Sequence, residues 1–118
     1  MNRLPTGIDL SFFNGQTFMQ MCIGRHDLQL NFDEGVSISV ESVIGIFNVH
    51  GAETRCEDLT KAASLLTDLL DVAVVSASGT LDGTLHLEFE RGQRVSIYDT
   101  KDHYESYVIK HHGQVIVV

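Results

Sequence analysis

A pattern of thirteen residues occurs twice in this 118-residue chain and constrains the fold more than any other feature. The copies read LQLNFDEGVSISV from Leu28 and LHLEFERGQRVSI from Leu85, and they align without a gap. Their first and last residues are shifted equally, since 85 − 28 and 97 − 40 both equal 57. Because a glycine and a serine coincide along with the apolar residues, the pattern indicates that one β unit has been duplicated.

Each copy predicts a β-hairpin. Apolar and polar residues alternate with a period of two, and the alternation is interrupted by Asp33-Glu34-Gly35 in one copy and by Glu90-Arg91-Gly92 in the other. Glycine at the third position suits the left-handed backbone that closes a three-residue hairpin loop. We therefore expect the same turn in both copies.

Additional strands are expected on both sides of each hairpin. Residues 17–23 and 72–78 predict a preceding strand, and residues 43–49 and 104–110 predict a fourth strand after it. The shift between the copies grows to 62 at Gly51 and Gly113, since 113 − 51 = 62. This growth predicts a five-residue insertion in the second copy, around residues 100–103.

The segment between the copies predicts one helix over residues 57–70. Its apolar residues recur every three or four positions, at Leu59, Ala62, Ala63, Leu66, Leu69 and Leu70. Glu57 and Asp58 are expected in the first turn, where carboxylates favour the positive end of the helix dipole. The predicted fold class is α+β, with antiparallel β-meander units at residues 8–50 and 72–118 flanking this helix. We expect one domain over residues 1–118, with a pseudo-repeat of 17–51 and 72–113.

The terminal segment Gln114-Val115-Ile116-Val117-Val118 is apolar on both faces of any strand it forms. An exposed strand of this kind favours aggregation. Two interpretations stay open: the strand is interior to the sheet, or it is buried against a second subunit in a homodimer.

The charge balance restricts the partners. Eight basic and sixteen acidic residues give a net charge of −8, and the basic residues form no cluster. Such a chain repels nucleic-acid backbones and anionic lipids, whereas a basic or neutral protein surface is favoured. No apolar run approaches membrane-spanning length and the first residues do not resemble a secretory signal, so we expect a cytoplasmic protein. Cys22 and Cys56 are then expected as free thiols.

No catalytic or metal site is predicted, and no cofactor is expected. The chain lacks a phosphate-binding glycine loop and a Gly-x-Ser-x-Gly elbow. Glu88 and Glu90 alternate with apolar residues, so we assign them to the solvent-exposed face of a strand. His111 and His112 point to opposite faces of an extended segment, so at most one of them could join a metal cluster.

The second half of the chain resembles a family of small bacterial proteins of unknown function. The shared motifs are a Leu-Leu-Gly-x-x-Val opening, a Gly-x-Leu-x-Leu-x-Phe-x-x-Gly core and a Tyr-Glu-x-Trp close. The matching residues are Leu69, Leu70, Gly83, Leu85, Leu87, Phe89, Gly92, Tyr104 and Glu105. Asp71 replaces the family glycine and Tyr107 replaces the tryptophan. The resemblance implies a small α+β domain found near bacterial toxin and immunity genes, and it implies no catalytic residues.

The main functional hypothesis is a non-enzymatic protein-interaction module, immunity-like in that it neutralises a toxin. The alternative is a small-molecule-binding or enzymatic domain with a pocket between the two β units, and His103, Tyr104, Glu105 and Tyr107 are its candidate binding residues. The predicted insertion motivates this alternative, because departures from internal symmetry often mark functional loops. Self-association through residues 114–118 is the third hypothesis.

Overall fold

A computed structural model describes residues 4–5, 7–100 and 105–118. These residues form two antiparallel five-stranded sheets and one α-helix, which confirms the predicted α+β class with two similar β units flanking a helix. The strands of the first half are β1 (Phe18–Ile23), β2 (Leu28–Phe32), β3 (Ser37–Val40), β4 (Ile44–Phe47) and β5 (Glu53–Cys56). After helix α1 (Leu59–Leu66) come β6 (Val74–Gly79), β7 (Leu85–Phe89), β8 (Arg94–Ile97), β9 (Tyr107–His111) and β10 (Gln114–Val117).

The two halves exchange their last hairpins. The first sheet has the order β1-β2-β3-β9-β10 and the second has the order β5-β4-β8-β7-β6. The predicted fourth strands therefore exist, but each one joins the sheet of the other half: β4 pairs with β8, and β9 pairs with β3. Each sheet thus needs both halves of the chain to be complete.

The two repeated hairpins have the same backbone arrangement. Leu28 pairs with Val40 in the first, and Leu85 pairs with Ile97 in the second. Strands β2 and β7 share one burial pattern, in which every second side chain lies in the core. Both turns close three-residue loops, and Gly35 and Gly92 have φ angles of 76° and 91°. The predicted turn and the predicted role of its glycine are confirmed.

The structural correspondence extends further upstream than the sequence pattern. Short 3-10 turns at Ser11–Phe13 and Thr67–Leu69 precede the two halves, shifted by 67 − 11 = 56 residues. Equivalent hydrogen bonds follow them: Gln16 donates to the Phe13 carbonyl and Val72 donates to the Leu69 carbonyl, both at 3.0 Å. The second half is thus one residue longer between this turn and its hairpin.

The helix is shorter than the predicted residues 57–70. Asp58 has an extended backbone and caps the helix, since its carboxylate accepts a 2.9 Å hydrogen bond from the Thr60 N–H. Glu57 therefore precedes the helix. After Leu66 the chain tightens into the 3-10 turn, as often happens at the end of a helix. Leu70 is then extended and exposed, so it does not belong to the apolar stripe.

One hydrophobic cluster contains buried side chains from both sheets and from the helix. Its largest fully buried members are Phe13, Phe18, Leu28, Leu30, Ile38, Ile44, Leu66, Leu69, Leu85, Leu87, Ile97 and Tyr107. No helix in the described part of the chain is long and apolar enough to cross a lipid bilayer.

Strand β10 lies at the outer edge of the first sheet, so the first of the two interpretations of residues 114–118, an interior strand, is wrong. A two-residue turn at His112 and Gly113, both with positive φ, places β10 beside β9, and the other side of β9 already pairs with β3. Val118 is nevertheless buried, while Val115 is 58% exposed.

The connection between β8 and β9 spans residues 98–106, whereas the connection between β3 and β4 spans only residues 41–43. The β8–β9 connection is therefore six residues longer than the β3–β4 connection, close to the predicted insertion of five residues.

Candidate functional site

The beginnings of β1 and β6 meet and join the two sheets. Thr17 and Ala73 form an antiparallel bridge. Beside it, Phe18 donates a 3.0 Å hydrogen bond to the Val72 carbonyl, and Val74 donates a 2.8 Å hydrogen bond to the Gln16 carbonyl. These residue pairs are related by the same shift of 56 that relates the two halves. The bridge therefore lies on the approximate two-fold axis of the fold.

Two apolar side chains are exposed next to this axis. The pairing register slips between Phe18 and Gln20 and again between Val74 and Ser76, so that Met19 and Val75 occupy equivalent β-bulges. Each of the two side chains is 55% exposed. Leu70, also exposed, is followed by Asp71, whose N–H donates a 2.7 Å hydrogen bond to the Phe18 carbonyl.

Four acidic residues lie in the segments that are hydrogen-bonded at the bridge. Asp33 donates a 3.1 Å backbone hydrogen bond to the Thr17 carbonyl, and Glu90 donates a 3.0 Å backbone hydrogen bond to the Ala73 carbonyl. Both acids begin hairpin turns, and Glu34 follows in the first turn. With Asp71 they form a region that we call the acidic end, which comprises the acids Asp33, Glu34, Asp71 and Glu90 together with Met19, Leu70 and Val75. Arg91 is the one basic residue in these turns.

The backbone at Asp71 adopts a left-handed conformation, with φ 71°. The equivalent residue of the first half, 71 − 56 = 15, is Gly15, with φ 81°. A non-glycine residue seldom adopts this conformation, although aspartate tolerates it better than most residues. This geometry gives a physical reason for the glycine that the family resemblance places at position 71, and the aspartate adds a charge to the acidic end.

The opposite end of β1 borders an open cleft of about 550 Å³. The β1–β2 turn, the β3–β4 connection, the start of α1 and Thr100 form its walls. Its charged residues are mixed in sign: Arg25, Arg55, Glu41, Glu57 and Asp58. Ser42, which is 5% exposed, lines the same cleft, and its hydroxyl has no hydrogen-bond partner among the described residues. A buried hydroxyl without a partner is unfavourable and often marks a functional position.

The outer face of the second sheet carries two stacked arginines. The Arg55 guanidinium lies 4.3 Å from the centre of the Tyr98 ring, and the Arg94 guanidinium lies 4.0 Å from that of Phe47. The Tyr98 hydroxyl donates to the Glu53 carboxylate, and burial together with this bond raises the pKa of Tyr98. These contacts hold the side chains of this face in fixed positions relative to each other.

His86 lies on the same face, where Nδ1 is 2.6 Å from the Ser96 hydroxyl. Burial, followed in importance by the nearby Arg94 charge, lowers the pKa of His86. The ring therefore favours the neutral form, and the face carries two arginine charges near Glu53 and Glu88.

The four predicted binding residues do not share one environment in the structure. His103 and Tyr104 lie outside the described residues. Glu105 is exposed at the start of the β9 hairpin. Tyr107 is 1% exposed, and its hydroxyl donates a 2.6 Å hydrogen bond to the Gly83 carbonyl. Burial and the nearby Asp99 and Asp82 carboxylates raise the pKa of Tyr107. A binding role for these residues stays a prediction.

The remaining candidate side chains make ordinary contacts. Cys22 is exposed and Cys56 is buried, and both are free thiols. The His111 ring stacks on Phe12 at 3.7 Å, and His112 lies in the β9–β10 turn. Within the described ranges, no three His, Cys, Asp or Glu side chains are grouped so that they could hold a metal ion.

Sequence comparison gives one relationship. No curated protein and no solved structure matches the chain. A family of unknown function, DUF6188, matches residues 12–118. The predicted membership in a family of unknown function is confirmed, whereas the particular motifs and the bacterial origin stay predictions. Since the match covers nearly the whole chain, the protein belongs to the DUF6188 family.

Proposed function

We propose that the protein is a non-enzymatic interaction module that binds a basic, partly apolar protein surface through the acidic end. The observation that carries this proposal is that the segments hydrogen-bonded at the bridge carry four acidic residues and three exposed apolar side chains, next to the approximate two-fold axis. Apolar anchors inside a polar rim are the usual composition of protein interfaces.

The charges favour a basic partner. The chain carries −8, so its overall field attracts a positively charged protein and speeds the encounter. The rim carboxylates then select among basic surfaces. Met19, Leu70 and Val75 would supply the favourable burial, and methionine adapts its shape to different partners.

A toxin-neutralising, immunity-like role belongs to the same proposal. An acidic inhibitor that covers a basic protein surface needs binding geometry only, and none of its residues has to perform chemistry. The free thiols Cys22 and Cys56 fit a reducing, cytoplasmic compartment.

The test compares two triple variants with the same change in charge. Glu34→Gln/Asp71→Asn/Glu90→Gln removes three charges from the acidic end, and Glu41→Gln/Glu57→Gln/Glu105→Gln removes three exposed charges elsewhere. Proteins captured from the native host by the wild type are identified, and their affinity for all three chains is measured by calorimetry. We expect roughly tenfold weaker binding for the first variant only, since each rim charge contributes about 0.2–1 kcal/mol. Equal affinities of the two variants would refute the assignment of the surface.

The cleft supports a second candidate function, the binding of a small polar molecule. The Ser42 hydroxyl favours it: no described residue bonds to this group, and a ligand acceptor or donor would satisfy it. The mixed charges of the cleft suit a zwitterionic ligand. A thermal-shift screen of amino acids and dipeptides tests this function: a hit must be lost in Ser42→Ala and kept in Ser39→Ala. Absence of any such hit would leave the cleft without a functional argument.

A further inference from the structure

The four outer strands of the two sheets are protected unequally against pairing with another chain. Strands β1 and β6 each contain a bulge, at Met19 and Val75. Strand β5 places Glu53 and Arg55 on the outer face. Bulges and charged side chains are the usual means by which proteins block edge-to-edge pairing. Strand β10, Gln114–Val117, has neither.

Strands β5 and β10 are corresponding strands of the two halves. Cys56 pairs with Ile44 and Val118 bonds with Tyr107, so the two strands hold equivalent positions in the exchanged hairpins. By this correspondence, Val115 and Val117 of β10 take the places of Glu53 and Arg55 of β5. One half of the molecule therefore carries charges where the other carries exposed or half-exposed valines.

The pairing register shows which backbone groups of β10 are free. Val118 and Tyr107 exchange hydrogen bonds, with Val118 donating at 2.9 Å and accepting at 3.4 Å. Bonded and non-bonded pairs alternate in an antiparallel ladder, so Ile116 also bonds to β9. The N–H and C=O groups of Val115 and Val117 point away from β9, along an edge with which no strand of the described ranges pairs.

We infer that β10 pairs with β10 of a second copy of this chain to form a two-fold symmetric dimer. With Ile116 on the axis, Val115 of each copy pairs with Val117 of the other, and all four free groups on each strand are satisfied. The first sheet of one copy and the first sheet of the other then form one continuous sheet of ten strands. This inference is independent of the proposed partner binding.

The distribution of charge favours a second copy as the occupant. Two chains of charge −8 repel each other, so they can approach only where acidic groups are absent. The pairing registers place no acid among the outward side chains of the first sheet, which are Gln20, Cys22, Gln29, Asn31, Ser37, Ser39, Val108, Lys110, Val115 and Val117. The antiparallel arrangement also directs the Lys110 end of each hairpin towards the Glu105 end of its partner.

Two valine-to-lysine variants form a matched test. Val115→Lys places a charge on the β10 edge, and Val75→Lys places one at a similarly exposed valine of the β6 edge. The oligomeric state of the full chain is measured by sedimentation equilibrium over about a hundredfold range of concentration. We expect a dimer for the wild type and Val75→Lys, and at least a tenfold higher dissociation constant for Val115→Lys.

Amide hydrogen exchange supplies a second measurement. In the dimer, the N–H groups of Val115 and Val117 are bonded, so their exchange slows as the protein concentration increases. In Val115→Lys the Val117 N–H should exchange faster than in the wild type at the same concentration. A wild-type monomer at the highest concentration would overturn the inference, and so would a dimer that Val115→Lys and Val75→Lys weaken equally.

Discussion

Tyr107→Phe tests whether the buried tyrosine of β9 stabilises the fold. The Tyr107 hydroxyl donates a 2.6 Å hydrogen bond to the carbonyl of Gly83, and both residues are buried. A buried acceptor left without a partner costs about 1–3 kcal/mol. We expect Tyr107→Phe to lower the free energy of unfolding by this amount, measured by urea denaturation and circular dichroism.

Tyr98→Phe is the matched control. The Tyr98 hydroxyl also donates a hydrogen bond, but its acceptor Glu53 is exposed, so water can replace the lost contact. The expected loss is below about 1 kcal/mol, as for surface interactions in general. Equal losses in the two variants would refute the argument that burial makes the Tyr107 bond the more important one.

Comparison of the wild type with Tyr107→Phe also tests how the free energy of unfolding depends on pH. Burial raises the pKa of Tyr107 in the folded chain, while the unfolded chain releases this proton near its ordinary value of about 10. The stabilisation by the neutral tyrosine is therefore complete below about pH 10 and is lost as the pH rises towards the folded pKa. Above about pH 10 the wild type should lose stability faster than Tyr107→Phe. Parallel pH profiles would contradict this linkage.

Three further substitutions test single elements of the fold. Gly92→Val introduces a β-branched residue at φ 91° and should lower the unfolding free energy by about 1–2 kcal/mol or more in thermal denaturation. Asp58→Ala removes the helix cap and should cost about 0.5–2 kcal/mol, whereas Asp58→Asn should retain most of it. Ser42→Ala should leave stability unchanged or raise it by up to about 1 kcal/mol, because no described residue bonds to the hydroxyl. A clear loss of stability in urea denaturation would show that the hydroxyl has a partner.

The repeated hairpins could be predicted because their information is local. Alternating apolar residues define the buried face, and Gly35 and Gly92 define the turn, so the strands and their register follow from a few neighbouring residues. The helix could be predicted from the spacing of Leu59, Ala62, Ala63 and Leu66. Its end could not, because the tightening after Leu66 leaves little trace in the pattern of apolar residues.

The exchange of hairpins could not be predicted because it depends on contacts between distant segments. The residues of β4 are the same whether the strand pairs with β3 or with β8, so its local sequence does not show which sheet it enters. Strand β5 gave no sequence signal, since only Cys56 of its four side chains is buried. An exposed edge strand lacks the periodicity on which strand prediction depends.

The acidic end was missed for a related reason. Its members are scattered between Met19 and Glu90, and each looks like an ordinary turn acid or a strand residue on its own. The shift of 56 residues between Gly15 and Asp71 could have indicated that both precede equivalent strands. That the two strands meet at Thr17 and Ala73 is a tertiary fact. The prediction instead favoured residues 103–107, because the longer connection was the visible departure from the repeat.

The positions of the two proposed surfaces determine how many partners one assembly can hold. Strand β10 is separated from β1 by three strands of the first sheet, and the acidic end lies at the beginning of β1. Dimerisation through β10 therefore leaves both acidic ends free, and two copies of the chain should bind two partner molecules. Light scattering of the complex should give a 2:2 mass for the wild type and a 1:1 mass for Val115→Lys, with the same affinity per site. A wild-type dimer that binds a single partner would show that the two surfaces overlap.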